Sequence, residues 1–139
     1  MSEYIFKDEI VFISNAFTIG QDWECPIPAF FILVPNRKIR TIDELTEEEA
    51  SEYIFLVRKL RKGMKEILNI EDVYYFQNED TKHNYHLWIF PRYGWMEPFG
   101  RGIISVKPIM EHSIKGMMNE SAFIEVKSCV QKMKLFMNN

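Results

Sequence analysis

At 139 residues, 47% of them hydrophobic, the chain suits one domain with a continuous core and leaves little room for a second. A formal net charge of -3 provides no global basic field of the kind that attracts nucleic acid or an acidic membrane surface. The amino terminus carries acids where a secretory signal needs a basic start, and no apolar run reaches the ~18 residues of a membrane span, so a cytoplasmic protein is expected, binding neither nucleic acid nor membrane.

The short apolar run Ile10 to Ile13 reads as a strand, and the longer run Ala29 to Val34 as another, closed by Pro35. Between them, Asn15 to Pro28 contains Gly20, Pro26 and Pro28 and reads as a loop, long enough to border a ligand. A helix is predicted from Glu47 to about Leu68. Thr46 is its N-cap, Glu49 completes a capping box, and Glu47, Glu48 and Glu49 oppose the positive end of the helix dipole. Ala50, Tyr53, Ile54, Val57, Leu60, Met64, Ile67 and Leu68 repeat near the helical period, so this face packs on a sheet. Arg58, Lys59, Arg61, Lys62 and Lys65 read as a solvated face, and Gly63 weakens the helix without necessarily ending it.

The segment His83-Asn84-Tyr85-His86-Leu87-Trp88-Ile89-Phe90-Pro91-Arg92 alternates as a half-buried strand does. Tyr85, Leu87 and Ile89 face one way; Asn84, His86, Trp88 and Phe90 face the other. A neutral imidazole on a rigid strand can present one nitrogen as a nucleophile while the other donates to a fixed acceptor. The alternative is a structural histidine bonded within the sheet. Beyond the strand, Tyr93 to Pro108 carries Gly94, Pro98, Gly100 and Gly102 among Trp95, Met96 and Phe99. It reads as a loop that lines the site, seals a dimer interface or covers a satellite core, and it leads into a short helix near Ile109 to Lys115. A second long helix follows Asn119 or Ser121, with Ala122, Phe123, Val126, Cys129, Val130, Met133, Phe136 and Met137 at helical spacing. Cys25 and Cys129 read as free thiols packed as small hydrophobes. The His83-x-x-His86 pair lacks further ligands at metal spacing, since His112 is distant, so no protein-bound metal is expected.

The His83 to Arg92 segment resembles the His-φ-His-φ-His-φ-φ signature of the histidine triad family of nucleotide hydrolases and transferases, commonly followed by Pro-Arg. Counting back from Pro91-Arg92, the central histidine falls on His86, the first place on Asn84 and the third on Trp88. The resemblance extends upstream through Phe30-Phe31-Ile32-Leu33-Val34-Pro35-Asn36-Arg37-Lys38, through Thr41 to Glu49, and through Val73-Tyr74-Tyr75-Phe76-Gln77-Asn78-Glu79. It spans residues 9–93 of a single domain over 1–139, with 94–139 as a loop and helical extension.

The resemblance implies an α+β fold: an antiparallel sheet of about five strands with one long helix packed on it and a C-terminal helix. It implies a nucleotide phosphoanhydride or phosphoramidate hydrolase, for example of diadenosine tetraphosphate, that forms a nucleotidyl intermediate on His86. His83 is the surrogate acid for a shortened segment before the motif, with Thr81 or Lys82 able to replace it. Asn78 is placed to contact ribose or phosphate, Asn15 the ribose, and Asn84 and Trp88 stand where the flanking histidines bind phosphate. A homodimer is implied, with no cofactor beyond a divalent ion arriving with the substrate phosphates. The competing expectation is a nucleotide-binding or protein-interaction module that kept the fold and lost the chemistry. The catalytic reading requires space beside the His86 ring for a phosphate.

Overall fold

A computed structural model describes residues 4–139. Five strands, β1 (Ile10–Ile13), β2 (Phe17–Gln21), β3 (Phe31–Pro35), β4 (Val73–Phe76) and β5 (Leu87–Pro91), form one antiparallel sheet in the order β1-β2-β3-β5-β4. Helix α1 (Glu47–Glu66) crosses between β3 and β4, and α2 (Val106–Gly116) and α3 (Glu120–Met137) follow the sheet. No helix among the described residues is long and apolar enough to cross a membrane.

The amino-terminal end of α1 follows from local chemistry, and its second half is tied to distant main chain. The Thr46 side chain accepts from the Glu49 N–H at 3.1 Å while the Glu49 carboxylate accepts from the Thr46 N–H at 2.9 Å, closing the capping box. In the second half of the helix, two members of the basic run bind main-chain oxygens. Lys59 donates to the Met137 and Asn139 oxygens, and Arg61 to those of Ile70 and Glu71. The buried stripe of the helix is Leu56, Leu60, Gly63 and Met64, whereas Ile54 and Ile67 are exposed. Gly63 lies under α3, where a Cβ would stand 2.6 Å from Met133 Cε and from the Phe136 ring.

One face of the sheet meets both long helices. Phe17, Ile19, Phe31, Leu33 and Ile89 pack against Leu56, Leu60 and Met64 of α1 and Val130, Met133 and Met137 of α3. The other face is covered only at one end, where Phe30 and Phe90 meet Cys25, Ile27, Met96, Val106 and Ile109. The remaining row on that face, Gly20, Ile32, Trp88 and Phe76, consists of cross-strand partners, of which Trp88 and Phe76 border that cluster.

Three local expectations need correction. The stretch Asn15 to Pro28 contains strand β2, which pairs with β1 on one side and β3 on the other. The loop after β5 winds into 3-10 turns at Gly94–Phe99 and Ile103–Ser105 and buries Met96, while α2 starts at Val106, with Pro108 accommodated in its first turn. Finally, β5 begins at Leu87, so His86 occupies the residue just before the strand.

Candidate functional site

The sequence on either side of His86 fixes its ring. Asn84 spends its whole amide on main chain. Its Oδ1 accepts from the Ile39 N–H (2.7 Å) and the Tyr85 N–H (3.0 Å), and its Nδ2 donates to the Pro35 and Arg37 carbonyls at 3.0 and 3.2 Å. The chain before β5 is thereby bound to the chain leaving β3. The Asn84 carbonyl, held by this arrangement, accepts from His86 Nδ1 at 2.7 Å. A carbonyl only accepts, so Nδ1 carries the proton and the Nε2 lone pair is left for another partner.

Aromatic rings enclose that imidazole. Trp88 lies 4.1 Å away edge to face, Trp23 at 5.8 Å and His83 at 6.2 Å, all centroid to centroid. Tyr4 in turn meets Trp23 at 5.3 Å and His83 at 6.3 Å. His86 is 3% exposed. Burial is the main reason its pKa lies below the usual histidine value, with His83 adding to the depression while the Asn84 carbonyl and Asp22 oppose it. The ring is accordingly neutral near pH 7.

Two hollows adjoin this cluster. The smaller, about 50 Å³, touches His86 itself and is walled by Tyr4, Asp22, Trp23, Glu24, Ile32, His83 and Trp88. That volume accommodates a few water-sized groups and not a nucleoside. The larger, about 470 Å³, lies along the uncovered sheet face over Thr18, Gly20, Ile32 and Val34, with Lys7 at its margin. It falls in the range of small-molecule sites. Tyr4, Trp23, Ile32 and His83 wall both hollows, so side chains alone separate them. Gly20 belongs to the floor of the larger one because a Cβ there would stand 2.9 Å from the Glu9 carbonyl, leaving no room for a side chain.

The residues expected from sequence are distributed unequally. His83, His86 and Trp88 come together. Asn84 is adjacent, but its amide is committed to the backbone. Asn78 and Thr81 are exposed on the irregular segment between β4 and His83, outside both hollows. Asn15 sits in the β1–β2 turn, where its carbonyl accepts from Asn36, also outside them. Asp22 and Trp23, with Tyr4, Glu24 and Ile32, join the cluster without having been marked as site residues by any motif. Asp22 and Trp23 lie just past β2, and the alternation in Phe17 to Gln21 is the sequence signal that points to them. Among the described residues, no group of three or more His, Cys, Asp or Glu side chains is arranged to hold a metal ion.

The Pro-Arg stop anchors the turn after β5. Arg92 lies 5.7 Å over the Tyr74 ring and donates to Glu97 and to the Gly100 carbonyl, tying that turn back to the sheet.

Several solved structures share this arrangement. A hypothetical histidine triad nucleotide-binding protein from Sulfolobus tokodaii matches with a TM-score of 0.64 at 11% identity, covering 97% of this chain and 85% of that one. A HIT family protein from Bacillus anthracis matches with a TM-score of 0.56 at 22% identity, covering 83% and 84% of the two chains. The C. elegans NitFhit protein matches 78% of this chain with a TM-score of 0.57 at 14% identity, and there the match spans only 27% of the longer protein. No family model matches the chain, and no curated protein matches it by sequence. The five-stranded antiparallel sheet with its long helix and C-terminal helix is the histidine triad (HIT) fold.

Proposed function

We propose that the protein binds a nucleotide on the uncovered sheet face and hydrolyses a phosphoanhydride or phosphoramidate bond, as in a dinucleoside polyphosphate, through His86. The observation that carries this reading is the 2.7 Å hydrogen bond from Nδ1 to the Asn84 carbonyl, which leaves a neutral ring with its lone pair on Nε2. The nucleoside takes the 470 Å³ hollow and the α-phosphate the smaller space beside His86. Outward rotation of Trp23 or His83 joins the two.

In the first step the Nε2 lone pair forms a bond to the α-phosphorus, and the bond to the leaving group breaks with its electron pair. His83, whose ring is 6.2 Å from that of His86, protonates the departing oxygen or nitrogen. Water then attacks the phosphorus, breaks the P–N bond, releases the nucleoside monophosphate and restores the imidazole. Asn78 and Thr81, exposed before His83, are assigned to the part of the polyphosphate that extends past the hollow, and a divalent ion travels with those phosphates. Two copies are assigned to pair through the edge strand β4, where Tyr75 is 48% exposed.

A second reading, a nucleotide-binding module without turnover, is favoured by the saturated amide of Asn84 and the burial of His86. Incubation with diadenosine tetraphosphate and with an adenosine phosphoramidate, comparing wild type and His86→Ala, tests both. Turnover lost in the variant supports hydrolysis. Nucleotide binding without turnover in either protein refutes hydrolysis and leaves the module, and absence of binding refutes both readings.

A further inference from the structure

Asp22 is a buried acid, 8% exposed, in a neighbourhood otherwise built largely of rings. Its carboxylate is fully engaged. Oδ2 accepts from the Glu24 and Cys25 N–H groups at 3.2 and 3.0 Å, and Oδ1 accepts from the Trp88 indole N–H at 3.0 Å. Among the described residues, no lysine or arginine walls the same hollow. A carboxylate buried without a cationic neighbour is expensive, and burial pushes its pKa up against the pull of those donors. What this carboxylate holds is an indole. Phe76 stacks on that indole at 5.1 Å, and the His86 imidazole meets it at 4.1 Å.

An indole that donates its N–H to a carboxylate gains electron density, and an electron-rich ring beside an imidazole favours the charged imidazolium. Bond formation at Nε2 creates such a charge. With phosphorus on Nε2 and hydrogen on Nδ1, the His86 ring carries one positive charge until the P–N bond breaks. We propose that Asp22 and Trp88 act as one unit that compensates positive charge on the His86 ring, Trp88 by contact and Asp22 as a positioning residue acting through Trp88. The unit occupies the third place of the triad signature and supplies electrostatic support without a proton, because the indole N–H does not titrate. The inference rests on the covalent role of His86, yet its test needs no turnover.

The titratable groups around His86 are Tyr4 from the amino-terminal segment, Asp22 and Glu24 from the loop after β2, and His83 from its own segment. The experiment is an NMR titration of the His86 ring in wild type, Asp22→Asn, Trp88→Phe and the double variant. Each single change is expected to weaken proton binding by His86 about tenfold, a downward pKa shift of about one unit. The double variant is expected to fall no further than the larger single effect. An unchanged His86 titration in either single variant, or additive shifts in the double, overturns the proposal. Asp22→Asn turns an amide toward two N–H donors; where it does not fold, Trp88→Phe, which keeps a ring and leaves the acid in place, decides alone. Turnover of diadenosine tetraphosphate by the same wild-type protein separates this proposal from the catalytic one. A titration effect without turnover removes the chemistry and keeps the unit, and turnover without a titration effect does the reverse.

Discussion

Replacing Asn84 by alanine removes four hydrogen bonds that join the chain before β5 to the chain leaving β3. The bond to the Arg37 carbonyl is exposed, so water replaces it at little cost, whereas the other three are partly buried. At about 1 kcal/mol for each of those three, the expected loss is about 3 kcal/mol. For a domain of this size that corresponds to a fall in melting temperature of roughly 10 °C. Urea unfolding followed by tryptophan fluorescence measures it, with an unchanged m-value showing that stability and not compactness moved. The Asn84 carbonyl also holds His86 Nδ1, so the variant should broaden the His86 ring signals in NMR spectra even where it remains folded. A loss below about 0.5 kcal/mol, the scale of an ordinary surface substitution, would refute the view that this side chain fastens the site.

Gly63→Ala sets two effects against each other. Helix preference gains about 1 kcal/mol, while the new Cβ meets Met133 and Phe136 at 2.6 Å, an overpacking of about 1–3 kcal/mol. A net destabilisation of about 1 kcal/mol is expected in urea titrations, and a stabilised variant would contradict the packing. Glu49 accepts two Arg37 donors at 2.8 Å, which hold its carboxyl well below the usual range, at about 2. A folded pKa below the unfolded one adds stability at pH above the ordinary carboxylate value of 4.5, and that stability is lost as pH falls toward 2. Arg37→Ala should therefore flatten the melting-temperature profile across this window, more visibly at low salt; superimposable slopes would rule the pair out as a contributor.

Local chemistry made much of the framework legible. The Thr46–Glu49 capping box, the Asn119 cap and the alternation through Leu87, Trp88, Ile89 and Phe90 each lie within a few residues, so their signals survive without knowledge of the rest of the chain. The stripe of α1 was legible in period, and Tyr53, Val57, Leu60, Met64 and Leu68 pack at the core, but its edge was not. Leu56 is buried and Ile54 exposed because α3 approaches over Gly63, a fact recorded in Met133 and Phe136 and not in the helix itself.

His86 was likewise visible as a histidine on the patterned segment, but its surroundings were not. Strand β2 is short and includes Gly20, and it exists because β1 and β3 supply hydrogen-bonding partners on both sides. Asp22 is tied to the cluster by its bond to Trp88, 66 residues away, and Asn84 is a fastener because the chain after Pro35 passes beside it. Sequence alone determined the amino-terminal caps of the two long helices, the alternation of β5 and the placing of an imidazole beside it, since these depend on neighbouring residues. Tertiary structure decided which rings close over that imidazole and which polar groups are already engaged, because those contacts join segments the chain keeps far apart.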